Sequence, residues 1–201
     1  MARAPSFCGV VLAAGASSRM GRDKALLPWR GGTFLSETID LLVPYTDLVI
    51  VVGGENRTTV ESIVHSAGAF LVVNREPERG QFSSLRIGIQ EVLNRGRDAA
   101  IISLVDRPPC RPETVAQLKN RFLQRAPEGV WAVVPRYQEH HGHPILVGRE
   151  MIDAFLRAPA GSTARDVEHQ NTSRIEYAAV DDAMVVANVD TPEDYERIVH
   201  G

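Results

Sequence analysis

Cysteine is scarce in this chain of 201 residues: only Cys8 and Cys110 occur. One pair of thiols cannot build a disulfide framework or a four-cysteine zinc site, so a reducing, cytoplasmic setting is expected. Long apolar runs are missing too. None approaches the roughly 20 residues that span a bilayer. The short run FCGVVL, from Phe7, leads through small residues straight into charged GRDK, which is unlike a secretory signal. Basic excess is absent: 22 Lys and Arg face 25 Asp and Glu, a formal net charge of −3. Neither a nucleic acid nor a membrane is therefore an expected partner. There is no repeat, low-complexity segment or linker, and the length suits one domain over residues 1–201.

Two familiar phosphate loops are lacking as well. GxxxxGK[ST] does not occur, and the spacing of Gly15 and Gly21 does not make GxGxxG.

What the chain does have is alternation. Apolar, β-branched runs at 7–12, 47–52, 69–74, 99–105 and 130–135 read as strands. Helical patterns separate them at 33–43, 55–67, 83–94 and 111–124, the first capped by Thr33. Strand and helix at this spacing imply a mostly parallel sheet covered by helices on both faces, a Rossmann-like three-layer α/β/α fold. Beyond Pro135 the rhythm changes. A polar loop precedes the strand at 145–147, two short helices follow, and 174–178 and 183–189 read as further strands. The tail from Thr191 reads as a helix with Thr191 as N-cap and Pro192 in the first turn.

The chemistry concentrates after the first strand, in LAAGASSRMGRDKALLPW (Leu12 to Trp29). Small side chains at Ala13, Ala14, Gly15 and Ala16 let backbone amides approach a phosphate, and Ser17 and Ser18 add hydroxyl donors. Arg19 offers a planar fork for two phosphate oxygens, and Lys24 a point charge. Together, Leu12 to Arg19 and Lys24 form a candidate bed for a triphosphate.

This loop resembles the opening of the MobA-like nucleotidyltransferases, and is most similar to their molybdenum cofactor cytidylyltransferase branch, which reads AAG where the guanylyltransferase branch tends towards AGG. The resemblance continues, in family order, through GQFSSLRIGI (Gly80 to Ile89), LVDRPPCRPETV (Leu104 to Val115), GHPILV (Gly142 to Val147) and NVDTPEDY (Asn188 to Tyr195). It implies the nucleotide-diphospho-sugar transferase fold and a Mg²⁺-dependent transfer of CMP from CTP to the phosphate of molybdopterin, with pyrophosphate leaving. A molybdoenzyme would receive the product. Ala14 is expected to narrow the base pocket and so to disfavour a purine.

By the same resemblance Asp106 and Asp190 are the magnesium ligands, and Arg19, Lys24 and Asp106 carry catalysis. Asp106 ends an apolar strand, where open α/β sheets bind ligands, and Asp190 also reads as a residue at the start of the tail helix. Asn74, Gln81, Ser83 and Ser84 are candidate nucleotide contacts, the two serines being equally plausible as helix caps. His143 and Arg107 are candidate acceptor contacts, whereas His140 and His141 read as solvated and Cys110 as a loop residue. The chain departs from the family block LGDMP at Val105 and Arg107, and from DIDTPED at Asn188. Those departures leave open a GTP-using enzyme, a transferase acting on a sugar or isoprenoid phosphate, and a non-catalytic protein that binds nucleotide and handles the cofactor.

Overall fold

The computed structural model describes residues 5–200. Phe7–Ala13 forms β1, buried along its whole length. After the glycine- and alanine-rich loop, a short antiparallel ladder joins β2 (Pro28–Trp29) to β3 (Gly32–Thr33). Helix α1 (Phe34–Leu42) begins at Thr33, which exchanges side-chain and backbone hydrogen bonds with Ser36 in a capping box. There follow β4 (Leu48–Gly53), α2 (Arg57–Ser66), β5 (Phe70–Val73) and α3 (Gln81–Asn94), then β6 (Ala99–Leu104) and α4 (Pro112–Arg125). The C-terminal part adds β7 (Ala132–Tyr137), β8 (His140–His141), β9 (Ile145–Gly148), α5 (Arg149–Arg157), α6 (Ala164–Gln170), β10 (Ile175–Ala179) and α7 (Pro192–His200).

The main sheet runs β10-β7-β9-β6-β1-β4-β5, with β8 paired to β7. Its long strands are parallel except β9, which lies antiparallel between β6 and β7. The two-residue period of β1 divides the core. Phe7, Val11 and Ala13 face one cluster with Phe34, Ile39, Val60, Val64, Leu118 and Phe122, the buried sides of α1, α2 and α4. Cys8, Val10 and Leu12 face another with Leu85, Ile89, Met151, Phe155 and Val167, from α3, α5 and α6. The expected three-layer, mostly parallel α/β fold is thus realised.

One expected strand is not. Residues 183–189 form a single turn at Ala183–Val185 and then a strap without a sheet partner. The Asp182 side chain accepts the Met184 amide and bends the chain there. Backbone groups that would enter a ladder are taken up instead by loops: the Val185 carbonyl accepts the His143 amide, and the Val189 amide donates to the Asp106 carbonyl. Gly142 makes this crossing feasible, because a Cβ at that position would lie 2.0 Å from the Val185 oxygen.

Candidate active site

The parallel strands β1 and β6 end side by side, and the loops leaving their C-terminal ends carry the chemistry. The first loop is held by its own side chains. Ser17 takes a left-handed backbone (φ 49°), and its Oγ accepts the Lys24 amide at 3.1 Å. Asp23 caps the turn Lys24–Leu26 through the Ala25 amide. Asn56 clips the loop from below: its Nδ2 donates to the Ala13 carbonyl at 3.0 Å and to Asp23 at 2.8 Å, while its Oδ1 accepts the Gly54 amide. Gly15, Ala16, Ser18 and Arg19 remain exposed at the loop's surface.

Lys24 is only 8% exposed, and its Nζ donates to Asp190 Oδ1 at 2.7 Å. Arg19 approaches the same oxygen at 3.6 Å. These cations hold the Asp190 carboxyl below the usual carboxylate range, Lys24 contributing most. Asn188, where the family motif carries an acid, donates its amide to the other Asp190 oxygen. Asp194 fixes the backbone here by accepting the amides of Asp190 and Thr191, and Thr191 caps α7 as expected.

Asp106 has the opposite environment. Burial raises its pKa, the nearby charges of Lys24 and Arg107 offset part of that, and Asp190 adds to it. Its Oδ1 is enclosed without a hydrogen-bond partner. A buried, unpartnered carboxylate oxygen beside a second carboxylate is costly unless a cation completes it. Lys24, Asp106 and Asp190, far apart in sequence, thus share one site. Among the described residues no cluster of three or more His, Cys, Asp or Glu side chains forms a self-sufficient metal cage.

A cleft of about 1220 Å³ opens beside this charged cluster, adjoining it through Leu12, Leu104 and Arg107. Gln81 lies exposed on its wall. Asn74, 2% exposed, does not offer its amide freely. Its Nδ2 donates to the Ser83 and Ser84 hydroxyls at 2.8 and 2.9 Å, and its Oδ1 accepts the Glu76 amide. The three residues therefore tie the end of β5 to the start of α3, and their first role is to shape the wall.

Ala14 departs from its expected position. Its methyl is buried against Gly54, where an added Cβ would come within 3.3 Å of it, and Ala14 does not line the cleft. It cannot narrow a base pocket directly; it sets the distance between the loop and the end of β4.

Arg107 and His143 share the opposite wall. Arg107 donates weakly to the Val185 and Ala187 carbonyls, at 3.3 and 3.4 Å, and its Nε is enclosed without a partner. The His143 Nδ1 is likewise enclosed and unpartnered. Burial, reinforced by the Arg107 charge, pushes the His143 pKa down to about 3, so the ring is neutral. His140 is exposed, while His141, although exposed, stacks on Tyr177 with ring centroids 4.0 Å apart. Cys110 is a buried loop residue, its thiol pushed up to about 12 by burial.

Sequence reasoning missed Asn56 and Asp182. Each acts through hydrogen bonds to groups that only the fold brings near, so only their turn-favouring residue types offered a signal. Asp194, expected to complement the dipole of the tail helix, also closes a local capping pattern with Thr191.

Comparison with known proteins gives the same picture. The family model of the MobA-like NTP transferase domain matches residues 9–176. Among relatives, nicotine blue oxidoreductase of Paenarthrobacter nicotinovorans is 30% identical, covering 97% of both chains. Molybdenum cofactor cytidylyltransferase of Escherichia coli (strain K12) is 22% identical, covering 92% of each. Molybdenum cofactor guanylyltransferase of Xanthomonas euvesicatoria is 29% identical over 96% of this chain and 95% of its own. Among solved structures, Rv0371c of Mycobacterium tuberculosis H37Rv superposes with a TM-score of 0.81, 29% identity and coverage of 98% and 99%; its complex with manganese gives 0.77, at 28% identity and the same coverage. No helix among the described residues is long and apolar enough to cross a membrane. By its site, its fold and its relatives, the chain belongs to the MobA-like NTP transferase family.

Proposed function

We propose that the chain transfers CMP from CTP to the phosphate of a molybdopterin-type acceptor, releasing pyrophosphate. The observation that carries this reading is the meeting of Lys24, Arg19, Asp190 and the unpartnered Asp106 oxygen where β1 and β6 end. Lys24 and Arg19 bind the triphosphate, exchanging Asp190 for phosphate oxygens, and Lys24 neutralises charge that develops during in-line attack on the α-phosphorus. The acceptor phosphate is already ionised near neutral pH, so no side chain has to remove a proton. Arg107 and His143 face the acceptor, and Gln81 with the Asn74–Ser83–Ser84 wall faces the nucleoside.

The donor set fits magnesium. Asp106 presents a free, hard oxygen and Asp190 stands next to it, and Mg²⁺ is commonly held by one or two carboxylates together with substrate phosphates. A divalent ion bound there supplies charge neutralisation at the triphosphate. The choice of CTP over GTP rests on the AAG loop and the cytidylyltransferase relative. It is tested by pyrophosphate release from each nucleotide in the presence of the acceptor.

A second reading is favoured by one observation: the 30% identical relative is named an oxidoreductase. The Lys24–Arg19 bed would then hold the pyrophosphate of a reduced dinucleotide. Oxidation of NADPH by nicotine blue without pyrophosphate release distinguishes the two.

A further inference from the structure

The cleft has two ends, and only one of them is needed for a nucleotide. Asn74 follows β5 at one edge of the sheet, whereas Tyr177 stands on β10 at the other. Between β6, which leads to Asp106, and β10 lie β9 and β7. Three strand spacings of about 4.8 Å put the far end about 14 Å from the charged cluster. A nucleoside lying towards Asn74 leaves that end empty.

The chemistry of the far end is distinct. Alternation along β10 puts Tyr177 on the same face as Ile175, the face covered by α3, α5 and α6, while Ala178 belongs to the opposite cluster. Tyr177 is 37% exposed. It is stacked by His141 at an interplanar angle of 13°, and both rings line the cleft. Glu168 on α6 lines it too, beside the buried anchor Val167. The Glu168 carboxyl makes no hydrogen bond or ion pair among the described residues. Burial raises its pKa, and its charge is felt by the Tyr177 hydroxyl, which brings the acid and the aromatic pair together.

We propose that His141, Tyr177 and Glu168 form a distal subsite for a planar heteroaromatic ring that bears N–H groups, the ring end of the acceptor. The flat His141–Tyr177 pair supplies a stacking surface, worth more than the buried area alone. An unpaired, half-buried carboxyl at its edge accepts the ring's N–H donors, and charge-assisted bonds of this kind are the strong ones. The naming of the ring as the acceptor's rests on the transferase reading; the stacking site itself does not. A nucleobase shares this ring chemistry, so both sources are tested.

The experiment titrates the full-length protein with neopterin, followed by its own fluorescence, and with cytidine, each on wild type, Tyr177→Leu, Glu168→Ala and His141→Ala. CTP affinity by calorimetry and the melting temperature are measured on the same samples. Saturable neopterin binding is expected, weakened about tenfold or more by Tyr177→Leu and by Glu168→Ala, a loss of about 1.4 kcal/mol. CTP affinity and melting temperature should stay unchanged in all variants. Neopterin binding that no variant alters overturns the subsite, as does the absence of saturation. Cytidine displacing neopterin with equal affinity assigns the aromatic pair to the nucleobase and overturns the acceptor end. Neopterin binding that depends on Tyr177, with no CTP binding in wild type, leaves the subsite standing and contradicts the transferase reading alone.

Discussion

Lys24 Nζ lies 2.7 Å from Asp190 Oδ1, joining two residues 166 positions apart across the mouth of the site. The pair does for the free protein what a triphosphate does for the loaded one: it gives a buried ammonium an anion. Replacement of Lys24 by Met leaves Asp190 to Arg19 and the Asn188 amide and removes the point charge for phosphate. Calorimetry should show CTP affinity reduced by about ten- to a hundredfold, the range of a charged hydrogen bond of about 1.5–3 kcal/mol. An unchanged affinity would remove Lys24 from the phosphate bed.

Asp106 gives a prediction of opposite sign for stability and function. Its folded pKa is raised, so the unfolded carboxyl ionises first and stability falls as pH rises past the ordinary value near 4. Asp106→Asn should abolish pyrophosphate release yet stabilise the protein at neutral pH. A gain of about 1 kcal/mol corresponds to a melting temperature about 2–4 °C higher in a chain of this size. The gain should vanish below about pH 4. A lower melting temperature at neutral pH would mean that the carboxylate is already satisfied.

His143 controls acid sensitivity. Its folded pKa of about 3 lies well below the ordinary 6.5. Below pH 6.5 the unfolded chain therefore binds a proton that the folded chain does not, and stability drops as pH falls towards 3. Thermal unfolding of His143→Gln should lose less melting temperature between about pH 7 and pH 4 than wild type does. Parallel pH profiles would show that the ring is protonated in the fold.

The strap that ends at Asp190 depends on Asp182, which is 4% exposed. One of its oxygens accepts both the Arg111 amide and the Thr114 hydroxyl, and the other accepts the Met184 amide. Asp182→Ala leaves these donors unpaired and should cost about 2–3 kcal/mol, seen as a melting temperature lower by about 4–12 °C. Because the strap also holds Arg107 and His143, kcat should fall more than the CTP affinity does. An unaffected melting temperature would show that the strap is held elsewhere.

Not every part of this site could be read from the sequence. β1, β4 and β6 were legible because strands buried on both faces read as continuous apolar runs. Lys24, Asp106 and Asp190 were legible as motif residues, each beside a recognisable helix or strand end. Asp182 was not. Its partners Arg111 and Thr114 lie 71 and 68 positions away, and no local pattern encodes such a bond. The strap's apolar residues imitated a strand because burial, rather than pairing, selects them. Ala14 was placed on the correct loop but facing the wrong neighbour, since a backbone path alone decides that its methyl meets Gly54.

The most direct test of CMP transfer is pyrophosphate release by the full-length protein with Mg²⁺, comparing CTP with GTP, each with and without molybdenum-loaded molybdopterin. Release is expected to require the acceptor, to prefer CTP and to disappear in Asp106→Asn. Release that prefers GTP would contradict the nucleotide assignment, and NADPH oxidation in the absence of any release would contradict the transfer reaction itself.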